Sequence, residues 1–399
     1  MSASELQVRV LPAIGEISAD LWNACANPAG AETSIQQTEF NPFISHEFLS
    51  ALEASGSVSA RTGWQPQHLV AETRDGAVIG AAPAYLKSHS RGEYVFDQGW
   101  ADAYERAGGA YYPKLQVAVP FTPATGRRLL VAPGFEPQPV RLGLATALVE
   151  LCGLRHASSA HVTFATEPEW LLLGDAGFLQ RTDQQFHWEN PGYGTFDDFL
   201  TALAARKRKA IKRERREALE NDISVHWLTG ADITEEAWDA FFAFYIDTGS
   251  RKWGRPYLTR SFFSLVSESM RDRILLVMAK RAGRWIAGAI NFIGSRTLYG
   301  RHWGAVEHHP FLHFELCYYQ AIEFAITRGL RVEAGAQGEH KLARGYLPVT
   351  THSAHYIADP ALRRAIADYL KRERAYVEAA GEELTSLGPF RKDLMPDEA

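Results

Sequence analysis

Cysteine is scarce: Cys25, Cys152 and Cys317 are all there is in 399 residues, far apart and in no CxxC pair. A disulfide framework and a cysteine-built zinc centre are thereby excluded, and a reducing compartment is expected. Long apolar runs are missing too. No stretch approaches the roughly 18 residues of a membrane span. The N-terminal "MSASELQVRVLPAIGEI" has no basic region followed by an apolar one, so a cytoplasmic protein is expected. Nor is positive charge in excess. The formal net charge is −5, so the chain as a whole is no general polyanion binder, and any phosphate or nucleic-acid contact has to come from a local patch. H-E-x-x-H, H-x-E…C-x-x-C and G-x-S-x-G are all absent. His308, His309 and His313 crowd together, but Pro310 breaks the helix that would align the last two. No metal is expected.

What is present suits two α/β domains of about 150–200 residues each. "LQVRVLPA" alternates like a strand, while "SADLWNACA" and "SHEFLSALEA" read as helices, the second capped by Ser45. "HLVAETRDGAVIGAAPAYLKSH" reads as two strands turning at Asp75-Gly76. After a Gly- and Tyr-rich insert come the strand "KLQVAVPF", a long helix "QPVRLGLATALVELCGLRHA", the strand "AHVTFAT", a short helix and the strand "LQRTDQQFHWEN". The second half repeats that order. It has a hairpin turning at Gly283, the strand "RTLYGRHWG", a helix "FELCYYQAIEFAITRG" closed by Gly329, the strand "LRVEAG", the short turn or helix "EHKLARGY" and the strand "THSAHYI". A last helix starts near residue 360. The expected division is therefore 1–195 and 196–399, with the last helix free to pack back on the first unit.

The strand, hairpin, helix and strand order resembles the GNAT acyltransferase unit, and two in tandem resemble FemAB-type peptidyl- and aminoacyltransferases. More locally, "NPFISHEFLSALE", "YYPKLQVAVPFTPATGRRLL", "RKRKAIKRERRE", "HPFLHFELCYYQAIEFAI" and "GAQGEHKLARGYLPVTTHSAHYI" resemble a bacterial FemAB-like family of predicted N-acyltransferases. The resemblance implies an α/β fold of two tandem GNAT-like units with mixed sheets flanked by helices. It also implies an N-acyltransferase, with a small-molecule or peptide amine as acceptor, for instance a cell-wall precursor. No tightly bound cofactor is implied. The donor cosubstrate would be aminoacyl-tRNA, from the FemAB side, or acyl-CoA, from the GNAT side.

In a GNAT-like unit donor phosphates sit where a strand leads by a loop into the long helix. In the first half that loop is "VPFTPATGRRLLVAPG", where Thr122, Thr125, Gly126 and Arg127, or the adjacent Arg128, could hold an anion. The second loop, "GAVEHHPFLHFE", lacks the glycine-rich motif. There His313 suits a cap or a substrate hydrogen bond, Glu315 is a further candidate substrate contact, and Glu315, Tyr319 and Glu323 line one helix face. The segment "GAQGEHKLARGYLP" (Gly335–Pro348) falls at the cleft edge where donor and acceptor would meet. Making an amine nucleophilic at pH 7 costs about 4.6 kcal/mol. Glu339 and His340 are the candidate bases, Lys341 and Arg344 the candidate charge stabilisers, and Gln337 a positioning residue. Asp97, Trp100, Asp102, Tyr111 and Tyr112 in the aromatic insert, with Arg301 and Trp303 of "RHWG", are candidate acceptor contacts. "RKRKAIKRERRE" carries eight Lys or Arg from Arg206 to Arg216 against Glu214, over a narrow Ala204, Ile211 and Ala218 stripe. Arg206, Lys207, Arg208 and Lys209 make it a candidate donor contact, with tRNA as a partner. A non-catalytic protein that recognises an anionic or peptidoglycan-type ligand is the alternative from another class, and an acyl-CoA-dependent N-acetyltransferase the alternative within enzymes.

Overall fold

The computed structural model describes residues 6–28, 39–252, 256–335 and 338–391. It divides into two compact units, Met1–Asp183 with Thr350–Glu378, and Gln184–Val349 with Ala379–Ala399.

In the first unit, β1 (Gln7–Leu11), β3 (His68–Glu72), β4 (Val78–Ala82) and β7 (Leu130–Val131) form an antiparallel sheet in the order β1-β3-β4-β7. The β3–β4 turn is the one expected at Asp75-Gly76, where Gly76 takes φ +86°. Short β2 (Trp64–Pro66) pairs with β5 (Ala84–Lys87), β5 with β6 (Lys114–Val117), and β6 runs parallel to β8 (Ser159–Ala165). Helices α1 (Ala19–Ala26), α2 (His46–Ala54), α3 (Gln98–Arg106), α4 (Pro137–Leu154) and α5 (Glu167–Asp175) cover the strands. The α2 N-cap is Ser45, whose hydroxyl accepts from Phe48 N at 3.3 Å. The α4 helix is the crossover between β6 and β8, and it buries Val140, Leu144, Leu148 and Leu151 against Leu115, Val117 and Val162. Each such side chain contributes about 1.5–3 kcal/mol.

The second unit takes the end of β9 (Leu179–Trp188), then α6 (Phe196–Ala202), the basic helix α7 (Ala205–Ala218), β10 (Ser224–Leu228), α8 (Glu235–Lys252) and α9 (Arg260–Met270). Three long strands follow, β11 (Ile274–Arg281), β12 (Arg284–Ile293) and β13 (Thr297–Ala305). Ala282 and Gly283 both have positive φ, +48° and +77°, the geometry of a tight hairpin turn. The crossover consists of α10 (Leu312–Phe314), a π-helical turn at Glu315–Tyr319 and α11 (Gln320–Arg328), and returns parallel to β13 as β14 (Arg331–Glu333). Gly329 closes α11 at φ +64°, as expected of a C′ glycine.

Both units thus repeat one pattern: an antiparallel pair, a long crossover helix, then a parallel strand. Their last strands are exchanged relative to the division at 195/196. The end of β9 pairs with β14 (Trp188↔Val332, His187↔Glu333), while β15 (Leu347–Ile357) pairs with β8 through His352–Ile357. The closing helix α12 (Pro360–Ser386) follows β15, and its Ile366 and Leu370 bury with Trp100, Tyr111 and Ile357. The exchange has a packing reason: β15 carries apolar Ala354 and Ile357 inward onto the first unit, and β9 carries Phe186 and Trp188 into the second. Among the described residues no helix is long and apolar enough to cross a membrane.

Candidate functional site

The Gly335–Pro348 segment leaves β14 and forms a 3-10 helix at Glu339–Arg344 between two positive-φ glycines, Gly338 (φ +112°) and Gly345 (φ +91°). Both glycines are required. A Cβ on Gly338 would lie 2.4 Å from His340 Cε1 and 2.8 Å from its Nδ1, and one on Gly345 2.8 Å from the Phe199 ring. The His340 side chain is exposed, and its Nε2 is 2.9 Å from the Tyr318 hydroxyl. Arg344 is buried. Its Nη1 donates to the His340 carbonyl (2.6 Å), its Nη2 pairs with Glu214 (2.8 Å), and its guanidinium lies 3.4 Å over the Phe314 ring. Gln337 and the side chain of Glu339 lie outside the described residues.

Lys341 takes a different position from that of an oxyanion donor. It is 3% exposed, and its amine donates to the carbonyls of Ala334 (2.6 Å) and Gly335 (2.8 Å), pinning the loop. Burial pulls this amine down to about 8, against a smaller upward pull from Cys317. In the unfolded chain a lysine titrates near 10.4, so between these values the unfolded state binds more protons and stability rises with pH. The penalty is fully present below pH 8. Urea unfolding should find the wild type gaining about 2 kcal/mol relative to Lys341→Met on going from pH 7.5 to 9.5. Equal pH dependence of the two proteins would show that the amine does not titrate there.

The crossover helix supplies the rest of the site. A π turn opens the helix by one residue and is often found at functional sites. Here it presents Tyr318 and Tyr319 to the 3-10 helix. The His313 ring lies 5.0 Å from Trp303, 5.4 Å from Tyr318 and 6.2 Å from His340. Three expected residues from three elements thus meet. Arg301 stands two residues before Trp303, at the bulge of β13 between Gly300 and His302. Glu315 is corrected. As a substrate contact it would have to be reachable, yet it is fully buried. Arg215 Nε lies 3.2 and 3.1 Å from its two oxygens, and Gln320 Nε2 donates to Oε1 at 2.7 Å. It is an internal counter-ion for Arg215, which also pairs with Glu323 at 2.7 Å.

The basic helix α7 lays its Ile211 and Ala218 stripe into the core as expected. Its cations divide into two sets. Lys212, Arg213, Arg215 and Arg216 have acidic partners, whereas Arg206, Lys207, Arg208 and Lys209 have no ion pair among the described residues. Arg206, Lys207, Ala210, Ile211 and Glu214 of this helix, with Tyr319, Ala343 and Arg344, line a cavity of about 290 Å³. Glu214 there accepts from both the Tyr319 hydroxyl and Arg344. The cavity therefore joins the basic helix to the glycine-flanked segment, a juxtaposition across 130 residues. Arg208 and Lys209 do not line it.

In the first unit the expected acceptor residues form an interior network. Asp97, Trp100 and Tyr111 are buried, Tyr112 is half-buried and Asp102 is exposed on α3. The Lys114 amine bonds Asp97 and also Glu93 (2.7 Å), and Tyr111 donates to Asp97 (2.7 Å). Lys87 lies 3.5 Å from Glu93 and 3.5 Å over the Trp64 ring. Burial lowers Lys114, but Glu93 and Asp97 more than offset this and hold it above its ordinary value; burial pulls Lys87 down to about 7. Burial likewise raises Asp97, but Lys114 and then His161 bring it below the usual carboxylate range. His161 and His355 share a hydrogen bond at 2.7 Å beside Trp100, and burial keeps both neutral, His161 falling to about 3. The sequence reading missed Lys87, Glu93, Lys114, His161 and His355. The available signal was a lysine inside each apolar strand of "PAYLKSH" and "YYPKLQ". The expected anion loop is also corrected. Arg127 donates to the carbonyls of Cys25 and Ala26, Arg128 to those of Thr163 and Ala124, Gly126 N to Phe164 O and Thr122 to Pro120 O. Those donors are consumed by the chain itself, and β7 separates the loop from the start of α4. Thr125 is half-buried, and its enclosed hydroxyl has no partner among the described residues. None of the described residues form a cluster of three or more His, Cys, Asp or Glu able to hold a metal.

A FemAB-like family model, described as peptidoglycan biosynthesis/recognition, matches residues 13–392. None of the curated proteins matches the chain. Among solved structures, FemX superposes with a TM-score of 0.52 at 12% identity, over 88% of this chain and 98% of its own. L-PGS from Bacillus licheniformis reaches 0.50 at 8% identity, over 85% and 99%. A tandem GNAT protein from the clavulanic acid biosynthesis pathway reaches 0.47 at 13%, over 89% and 99%. At these identities the likeness is one of fold. The fold of two α/β units with strands flanked by helices is the expected one.

Proposed function

This chain belongs to the FemAB-like family, and we propose that it is a cytoplasmic N-acyltransferase that moves an aminoacyl or acyl group onto an amine of a peptidoglycan-type precursor or peptide. The observation that carries the reading is the grouping, within one unit, of an exposed imidazole held by a tyrosine (His340, Tyr318) with an arginine (Arg344) that lines a cavity.

The chemistry is direct transfer. With Nε2–H donated to the Tyr318 oxygen, the other nitrogen of the exposed His340 ring, Nδ1, carries the lone pair. Burial holds the Tyr318 hydroxyl well above the ordinary phenol range, so it stays protonated and neutral. The acceptor amine attacks the donor carbonyl and the N–C bond forms. His340 takes the ammonium proton, the C–O or C–S bond to the donor breaks, and the proton leaves on that oxygen or sulfur. Arg344 offers positive charge near the transferring group. Cys317 is not needed as a nucleophile. The donor is taken as an aminoacyl ester first and an acyl thioester second, because Arg208 and Lys209 of α7, which do not line the cavity and have no ion pair among the described residues, suit the phosphodiester backbone of a tRNA.

The test is transfer by the purified full chain from labelled aminoacyl-tRNA or acyl-CoA to a muropeptide-precursor amine. An amide product that survives mild base, where the ester donor does not, is the expected result. Tight precursor binding with no transfer from either donor would overturn the enzyme reading and favour a recognition protein.

A further inference from the structure

Three features of the α7 cavity go beyond a solvated basic face. First, α7 begins without a side-chain cap, since Ala204 is its N-cap, and has no acidic residue in its first turn. Arg206 and Lys207 there stand at the positive end of the helix dipole, where cations are disfavoured and anions favoured. Second, Arg344 is 6% exposed, yet its Nε has no hydrogen-bond partner among the described residues although Nη1 and Nη2 are both engaged. A buried N–H left without a partner costs stability. Third, the lining carries Arg206, Lys207 and Arg344 against the carboxylate of Glu214 alone, an excess of two positive charges.

We propose that this cavity binds a phosphate dianion, free or as a terminal phosphate monoester. The monoester carries about −1.5 to −2 charges at pH 7, which matches the excess, whereas a carboxylate or a phosphodiester carries one. Its oxygens suit the Arg344 Nε and the two α7 side chains as charge-assisted acceptors. A volume of about 290 Å³ lies at the low end of ligand sites, which start near 300 Å³. It admits a phosphate and the first atoms of what it is esterified to. The apolar Ala210, Ile211 and Ala343 face that remainder. The proposal deepens the transferase reading by naming what a donor or acceptor would have to carry at this place.

Calorimetry on the full chain at low salt tests it, with inorganic phosphate, adenosine 5′-monophosphate, adenosine and the diester adenylyl-adenosine as probes. The monophosphate should bind, adenosine should not, and the diester should bind at least about tenfold more weakly. Tighter binding of the monophosphate than of inorganic phosphate points to an esterified ligand, and equal binding to free phosphate; both support the site. Arg206→Gln with Lys207→Gln, changes on a solvent-facing surface, should weaken the monophosphate about tenfold or more, and Arg344→Lys, which keeps the Glu214 pair but removes Nε, should also weaken it. No phosphate binding, or binding unchanged in the double variant, overturns the site. A diester equal to the monophosphate overturns the dianion assignment. Binding is read without turnover, so these failures leave the transferase reading standing, and phosphate binding without any transfer does the reverse.

Discussion

Replacing His340 by glutamine lowers the transfer rate about 10²–10⁴-fold, the usual worth of a positioned general base, with little change in KM. Glutamine can still bond the Tyr318 hydroxyl, so the 3-10 helix between Gly338 and Gly345 stays folded and the loss is chemical. The rising limb of the pH–rate profile contributed by the imidazole disappears with it. Single-turnover kinetics at several pH values provide the measurement. Unchanged kcat, or a loss that keeps the same pH profile, would remove His340 from the role of base and leave it a packing residue beside His313 and Phe314.

The second large effect is on stability, in the other unit. Lys114→Met leaves the Asp97 carboxylate buried without its lysine and Glu93 with Lys87 alone, and breaking such a buried pair costs about 3–5 kcal/mol. The chain should lose a large part of its stability or fail to fold. Lys212→Met is the control: its pair with Asp197 is 59% and 82% exposed, and such pairs contribute about 0–1 kcal/mol. Thermal unfolding compares them. If the two variants were alike, the interior network would be energetically idle.

Much of the architecture was legible because it rests on local signals. Gly76 takes the positive φ that its short β3–β4 loop requires, Ala282-Gly283 form a two-residue hairpin turn, Ser45 caps α2, and Gly329 closes α11. Long-range arrangement was not. Nothing in "FELCYYQAIEF" marks a π turn, because the extra residue is accommodated by packing rather than by composition. The α8 and α9 helices, "EEAWDAFFAFYIDTGSRK" and "RSFFSLVSESM", went unread, although they occupy in the second half the place of α1 and α2 in the first.

The site divides the same way. The cluster of His313, Trp303 and His340 was nameable from loops flanking a crossover, whereas the cavity was not. It depends on Arg344 reaching Glu214, and sequence gives no distance between a helix and a turn 130 residues later. In the first unit the difference runs the other way. Asp97 and Tyr111 looked like loop residues open to a ligand, but Lys87 and Lys114 from β5 and β6 draw the carboxylates inward. A charged side chain is easily placed on a surface by composition alone. Its partner on a neighbouring strand decides otherwise.

The exchange of last strands has a consequence for synthesis and for the gene. A ribosome that has made the first 195 residues has not yet supplied β15, the strand that β8 pairs with at His352–Ile357. The first unit can close only after β15 has been translated, so nascent chains carry an open sheet edge, where aggregation begins, from the completion of β8 until β15 is made. A chain cut at 195/196 yields two pieces that each hold the other's missing strand. They should be insoluble when expressed singly and should recover together when co-expressed, as halves that complement one another.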